Sequence, residues 1–96
     1  PFRLKMGSAV ITGTIDYFYE TEAGFVICDF KTDRKFDPEK YRIQMDTYAL
    51  ALSKAKQKPV VETHLRYLRL KKNHVEKWDA ARQKRAEAKL TELINQ

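Results

Sequence analysis

Three charged residues stand in runs that are otherwise rich in β-formers: Asp16 between Ala9 and Tyr19, and Asp29 and Lys31 between Phe25 and Thr32. Residues two apart on a pleated strand share a face, so Asp29 and Lys31 point the same way. Burying an unpaired carboxylate or ammonium costs several kcal/mol, so these charges must neutralise each other, bind something, or lie at an open strand end. A mutual ion pair would account for Asp29 and Lys31 alone, a D-x-K tripeptide being common by chance. Asp16 changes the balance. Between the two runs, Glu20-Thr21-Glu22-Ala23-Gly24 reads as a hairpin turn. Closure there sets residues whose numbers sum to about 46 opposite one another, which brings Asp16 to the vicinity of Phe30. Two converging carboxylates repel, and a hard divalent cation relieves them; Mg²⁺ favours carboxylate oxygens, retained waters and phosphate. With a lysine alongside to stabilise negative charge or handle a proton, this is equipment for phosphodiester hydrolysis.

The elements that must position these groups follow from patterning. Phe2 to Met6 alternates apolar and basic residues as a short half-exposed strand. A second strand is expected from about Ala9 to Tyr19, and a third from Phe25 to about Thr32. The third is apolar on both faces and therefore central and covered. Asp37-Pro38-Glu39 reads as a helix start, with Asp37 as N-cap and Pro38 at the first helical position, and the helix should run to about Lys56. At 100° per residue Tyr41, Gln44, Met45, Tyr48 and Leu52 form one stripe, and Arg42, Asp46 and Lys54 point away from it. Pro59 separates this helix from a fourth strand, about Val60 to Leu70, and a last helix is expected over roughly Val75 to Ile94 with Trp78 as its aromatic anchor. The order β-β-β-α-β-α makes an α/β fold, a mixed sheet with helices against it.

At 96 residues and 43% hydrophobic content the chain has material for one core, so residues 1–96 are expected to form a single domain. No apolar run approaches the roughly 20 residues of a membrane helix, and the first residues lack a signal pattern, which points to a soluble cytoplasmic domain with no membrane partner. The single cysteine, Cys28, makes no internal disulfide and cannot supply the ligands of a cysteine-bound zinc or iron–sulfur centre, leaving oxygen to hold any metal. The net charge of +6 is uneven. Residues 1–30 carry two bases against four acids, residues 31–58 eight against four, and residues 59–74 four against one. A basic body behind an acidic segment attracts polyphosphate backbones. Lysines that merely solvate helix faces would give the same charge.

Three ordered segments, Gly13-Thr14-Ile15-Asp16, Asp29-Phe30-Lys31-Thr32 and Gln44-Met45-Asp46-Thr47-Tyr48, resemble the G-x-I-D, D-x-K-T and Q-x-x-x-Y motifs of the PD-(D/E)xK nucleases, most closely the RecB/AddA branch. The likeness extends from about Pro1 to Leu70. It implies a restriction-endonuclease-like mixed sheet, with Asp16 and Asp29 as ligands of Mg²⁺ (Mn²⁺ substituting) and the Phe30 backbone carbonyl as a third. Lys31 would be the catalytic lysine, and Gln44 and Tyr48 would support the site from the helix. The implied function is metal-dependent hydrolysis of DNA, as exonuclease or endonuclease, in DNA end processing and recombination repair. Its companions would be helicase domains of the same parent chain and a partner subunit. That branch also has a preceding helix that usually donates a histidine ligand; it is not in this sequence, so either this is a piece of a larger helicase–nuclease, or a partner chain or a shorter architecture replaces that helix.

Helix geometry permits the role of Gln44 and Tyr48, which lie one turn apart on a shared face, although plain packing would place Tyr48 there too. His64 and His74 lie beyond the motifs and are expected as strand and loop residues. Trp78 is expected as a packing anchor and Cys28 as a core residue. Two other readings stay open: a nuclease-like module that binds DNA without cutting it, and a scaffold whose strand charges form a structural ion-pair network.

Overall fold

The computed structural model describes residues 1–95. Six strands and two helices follow in the order β1 (Phe2–Met6), β2 (Ala9–Gly13), β3 (Tyr17–Glu20), β4 (Phe25–Lys31), α1 (Arg42–Lys56), β5 (Val60–Tyr67), β6 (Lys72–Lys77) and α2 (Ala80–Ile94), with a 3₁₀ turn, Pro38–Tyr41, leading into α1. Strands β1 and β2 make a separate hairpin, and β3-β4-β5-β6 make a four-stranded mixed sheet in which β4 and β5 are parallel. The expected α/β fold is present. Its element order departs from β-β-β-α-β-α in two places.

The run from Ala9 to Tyr19 is two strands. Pairing of β2 with β1 ends at Gly13, pairing of β3 with β4 begins at Tyr17, and Thr14 to Asp16 cross between the sheets. Asp16 therefore lies in the break and not inside a strand. The second departure is β6: Val75 to Lys77 belong to this strand, where alternating exposure and pairing with β5 override the helix-forming composition that follows. Helix α2 starts only at Ala80, and the Asp79 side chain caps it by accepting from the Arg82 N–H at 2.8 Å. Asp37, by contrast, occupies the cap position of the 3₁₀ turn without a side-chain hydrogen bond. His74 is consequently a strand residue, not a loop residue.

Strand β4 is central, and Phe25 to Asp29 are all buried. Its register with β3 is fixed by the turn at residues 21–24. There the Gly24 carbonyl accepts from both the Thr21 N–H and hydroxyl. Gly24 has φ +149°, and a Cβ on it would stand 2.4 Å from the Pro59 carbonyl oxygen, so only glycine fits this approach. The core lies between the sheet and α1, where Phe25, Ile27, Val60, Leu65 and Tyr67 meet Met45, Tyr48, Ala49 and Leu52. Helix α2 closes the far side of α1 with Ala86 and Leu90.

Asp46, expected to point away from the packed stripe, does so without reaching solvent. It is 8% exposed, with its carboxylate 3.2 Å from the buried Arg82 guanidinium. Trp78 is buried as an anchor, but it precedes α2, with Arg82 4.9 Å over its ring. Cys28 is buried in the sheet. Among the described residues no helix is long and apolar enough to cross a membrane.

Candidate active site

The end of β4 is where the charged residues meet. Asp29 is 2% exposed, and its Oδ2 lies 2.7 Å from Lys31 Nζ. That contact is a short ion pair, and a carboxylate oxygen carries two lone pairs, so Oδ2 keeps room for a further partner. Asp16 reaches the same place from the break between β2 and β3. Its Oδ2 accepts from the Phe30 N–H at 3.1 Å, and its carboxylate is close enough to that of Asp29 to act on its protonation. Burial pushes the Asp29 carboxyl above the ordinary aspartate range, Lys31 pulls it down, and Asp16 pushes it up again, the balance being upward. Lys31 is held fully charged: its own burial opposes this, but the Asp29 carboxylate outweighs burial and raises its pKa.

The Phe30 carbonyl is oriented by the same logic. A strand residue sends its N–H and C=O to the same side, and Phe30 N–H points to Asp16. Its carbonyl therefore faces the β3 side, where strand pairing has already ended at Tyr17. The neighbouring Lys31 carbonyl faces the other way and accepts from Leu68 N–H at 2.9 Å.

From α1, Gln44 Oε1 accepts from Lys31 Nζ at 2.9 Å, and Gln44 Nε2 donates to the Tyr48 hydroxyl at 2.8 Å. One amide thus ties the lysine to a tyrosine one helical turn on. Tyr48 is itself packed edge-to-face against Phe2, with ring centroids 5.6 Å apart. Phe2 lies so close over Gly13 that a Cβ there would meet its ring at 2.8 Å. The glycine of the first motif is therefore small because Phe2 needs the space to brace Tyr48.

All of Asp16, Asp29, Phe30, Lys31, Gln44 and Tyr48 come to one place. Tyr41, which the sequence placed on the helical stripe without a role in the site, joins them. Its ring lies 4.0 Å from Lys31 Nζ as a cation–π partner, and its hydroxyl donates to Asp33 Oδ2 at 2.5 Å. Its position three residues before Gln44, on the same helical stripe, was the available signal. His64 and His74 are elsewhere, paired with Glu62 and Glu76.

Two carboxylates and a main-chain carbonyl suit a hard, oxygen-seeking cation, and the buried Asp29 carboxylate with that of Asp16 beside it is the specific feature that fits one. Among the described residues no third Asp, Glu, His or Cys joins them, so waters and substrate would complete the coordination.

An ATP-dependent helicase/nuclease subunit of Bacillus cereus is 37% identical over 83 residues, 73% of this chain. The helicase/nuclease subunits of the same name from Lactobacillus delbrueckii subsp. bulgaricus and Bacillus thuringiensis subsp. konkukian are 36% identical over 69 residues and 38% over 68, covering 62% and 57% of the chain. The chain spans about 6% of the length of these curated relatives. Over residues 1–96 it matches the PD-(D/E)XK nuclease superfamily, and it belongs to that family.

Proposed function

We propose that this chain is the nuclease core of a larger helicase–nuclease and hydrolyses DNA phosphodiester bonds with a divalent cation, Mg²⁺ or Mn²⁺ in its place, held by Asp16, Asp29 and the Phe30 carbonyl. DNA end processing for recombination repair is the setting this implies, its companions being helicase domains and a partner subunit. The observation that carries the reading is the buried Asp29 carboxylate, which stands at the strand end beside the carboxylate of Asp16.

When bound, the cation supplies Lewis acidity toward a phosphate oxygen and makes attacking water more acidic. The chain's residues do the rest. Asp16 is tethered by Phe30 N–H, which fixes its carboxylate beside Asp29. Lys31 has three N–H donors; Asp29 and Gln44 take two directions, leaving the third for an oxygen on which charge develops. Gln44 is locked by accepting from Lys31 and donating to Tyr48, so it positions the ammonium and does not itself react.

Asp16→Ala and Asp29→Ala are each expected to lose Mn²⁺ binding and DNA cleavage together, by calorimetry and by gel assay. Retention of both properties in either variant overturns the metal assignment. A chain that binds DNA but takes up no cation instead supports the non-catalytic module.

The raised Asp29 pKa gives a pH signature. A cation needs the deprotonated carboxylate, so protons compete with it. Because burial raises the Asp29 value, competition sets in at a higher pH than the ordinary aspartate value of about 3.9 would dictate. Mn²⁺ affinity measured from pH 8 downward should therefore begin to fall well before that value. Affinity that stays constant down to that value would contradict an Asp29 ligand with a raised pKa.

A further inference from the structure

We propose that the loop of residues 32–36 and the turn of residues 68–71 form the lip on which a DNA strand docks as it enters the site, with Arg34, Lys35, Arg69 and Lys71 on its phosphates. This rests on the nuclease reading above and assigns its substrate path.

Parallel pairing brings the two segments together. Lys31 is the register partner of Tyr67, and Leu68 N–H donates to the Lys31 carbonyl, so both segments leave the sheet beside the site lysine. Each of the four bases lies within four residues of Lys31 or its partner Tyr67, a reach of at most about 14 Å for extended chain.

The bases are presented on fixed backbone. Phe36 packs on the buried Tyr67 at 4.9 Å, and Asp33 is held by the Tyr41 hydroxyl and by Lys40 at 3.7 Å. The turn is closed by the pairing of Tyr67 with Lys72. Of the acids nearby, Asp33 is engaged as described and Glu39 is paired with Arg42 at 2.8 Å, while Asp37 is half-buried and pairs with none of the four bases among the described residues. Arg34, Lys35, Arg69 and Lys71 are exposed, and among the described residues none of them forms an ion pair. Four exposed cations without carboxylate partners, at the mouth of a site for phosphodiester chemistry, fit a polyphosphate backbone.

The other prominent basic group, Lys54 and Lys56, lies at the opposite end of α1. From Gln44 in the site to Lys56 is about 18 Å along the helix axis at 1.5 Å per residue. That is more than twice the Debye length of about 8 Å at physiological salt, so these lysines act weakly at the site. Lys54 is also engaged, donating to the Lys5 carbonyl at 3.2 Å. Sequence charge alone does not tell Lys35 and Arg69, on the lip, from Lys54 and Lys56 at the far end of α1; the fold does.

The test measures binding of the full chain to a labelled single strand of about eight nucleotides, within the usual site size of one small domain. Fluorescence anisotropy in EDTA over a range of salt prevents cleavage and yields the salt slope. Arg34→Gln/Lys35→Gln and Arg69→Gln/Lys71→Gln are each expected to weaken binding about tenfold at low salt. Each should also make the slope of log K against log salt shallower by about 1.4, the value for two phosphate contacts on a single strand. At physiological salt, Lys54→Gln/Lys56→Gln should stay within about twofold of wild type. Circular dichroism on heating should show all three folded, since the substituted side chains are exposed. Wild-type binding by both lip variants, or an equal loss in the Lys54/Lys56 variant, overturns the lip and leaves the nuclease reading standing. Failure of the unmodified chain to bind DNA even at low salt takes down both.

Discussion

Lys31→Ala should slow DNA cleavage by about 10²–10³-fold, roughly 3–4 kcal/mol of transition-state stabilisation, in a polypeptide that carries this chain and cleaves DNA. Mn²⁺ affinity should be retained. The separation of effects follows from charge: Asp16 and Asp29 are the oxygen donors, whereas Lys31 is held protonated by Asp29 and cannot ligate a cation. Removing the ammonium also leaves Asp29 buried without its counter-ion, which destabilises the metal-free form. Added Mn²⁺ should offset that loss, because a ligand that binds only the native state stabilises it by mass action. Cleavage rate, Mn²⁺ affinity and thermal midpoint with and without metal, compared for wild type, Lys31→Ala and Gln44→Ala, separate these contributions. Gln44→Ala should lower the rate less, because Asp29 and the Tyr41 ring still hold the ammonium. Cleavage by Lys31→Ala at the wild-type rate would make Lys31 a structural partner of Asp29 and nothing more.

The sheet's central strand and the meeting of its charges were legible because they depend on short-range pattern. The apolar run of β4 announces its burial, and the Thr21–Gly24 turn sets a register in which Tyr17 lies opposite Cys28, one residue from that inferred from turn position. The offset did not move Asp16 away from Phe30, because Asp16 leaves the strand and caps the Phe30 N–H with its side chain. That break was not legible: Thr14 and Ile15 are β-branched, and propensity says strand although the chain is crossing between two sheets there. Strand β6 was hidden for a related reason, the Ala- and Lys-rich sequence after it extending the helical signal across Asp79, the actual cap. Tyr41 shows the limit for sites. Its place on the helical stripe was evident, but its contact with Lys31 needs the bend of the 3₁₀ turn that carries it toward the strand end. Asp46 shows the limit for burial: its partner, Arg82, is 36 residues away and on another element.

That partnership should make Arg82→Ala one of the most damaging substitutions away from the site, costing about 3–5 kcal/mol, the usual range for breaking a buried ion pair. Arg82 is 7% exposed and holds three elements at once. It reaches Asp46 on α1 at 3.2 Å, Glu76 on β6 at 3.0 Å and the Lys77 carbonyl at 3.2 Å, with its guanidinium over Trp78. Truncation leaves Asp46 buried with only the weaker pull of Arg42 opposing its charge, whereas Glu76 keeps Arg42 and His74. Against a total stability of about 5–15 kcal/mol for a domain of this kind, the loss is a large fraction, and urea unfolding should register it directly. The pH dependence carries a sign. Burial already raises the Asp46 pKa, and Arg82 is the chief group lowering it, so the variant's folded-state value lies higher still. A carboxyl whose folded pKa exceeds its unfolded one favours the folded state when protonated and loses that advantage as pH rises. The deficit of Arg82→Ala should therefore shrink on acidification from neutral pH toward the raised Asp46 value. Asp46→Asn in the Arg82→Ala background should remove that recovery and restore part of the stability at pH 7, because the neutral amide does not leave a buried charge. A pH-independent deficit, or a loss below about 1 kcal/mol, the range of exposed ion pairs, would mean that the pair is solvated and that α2 is held by its apolar face alone.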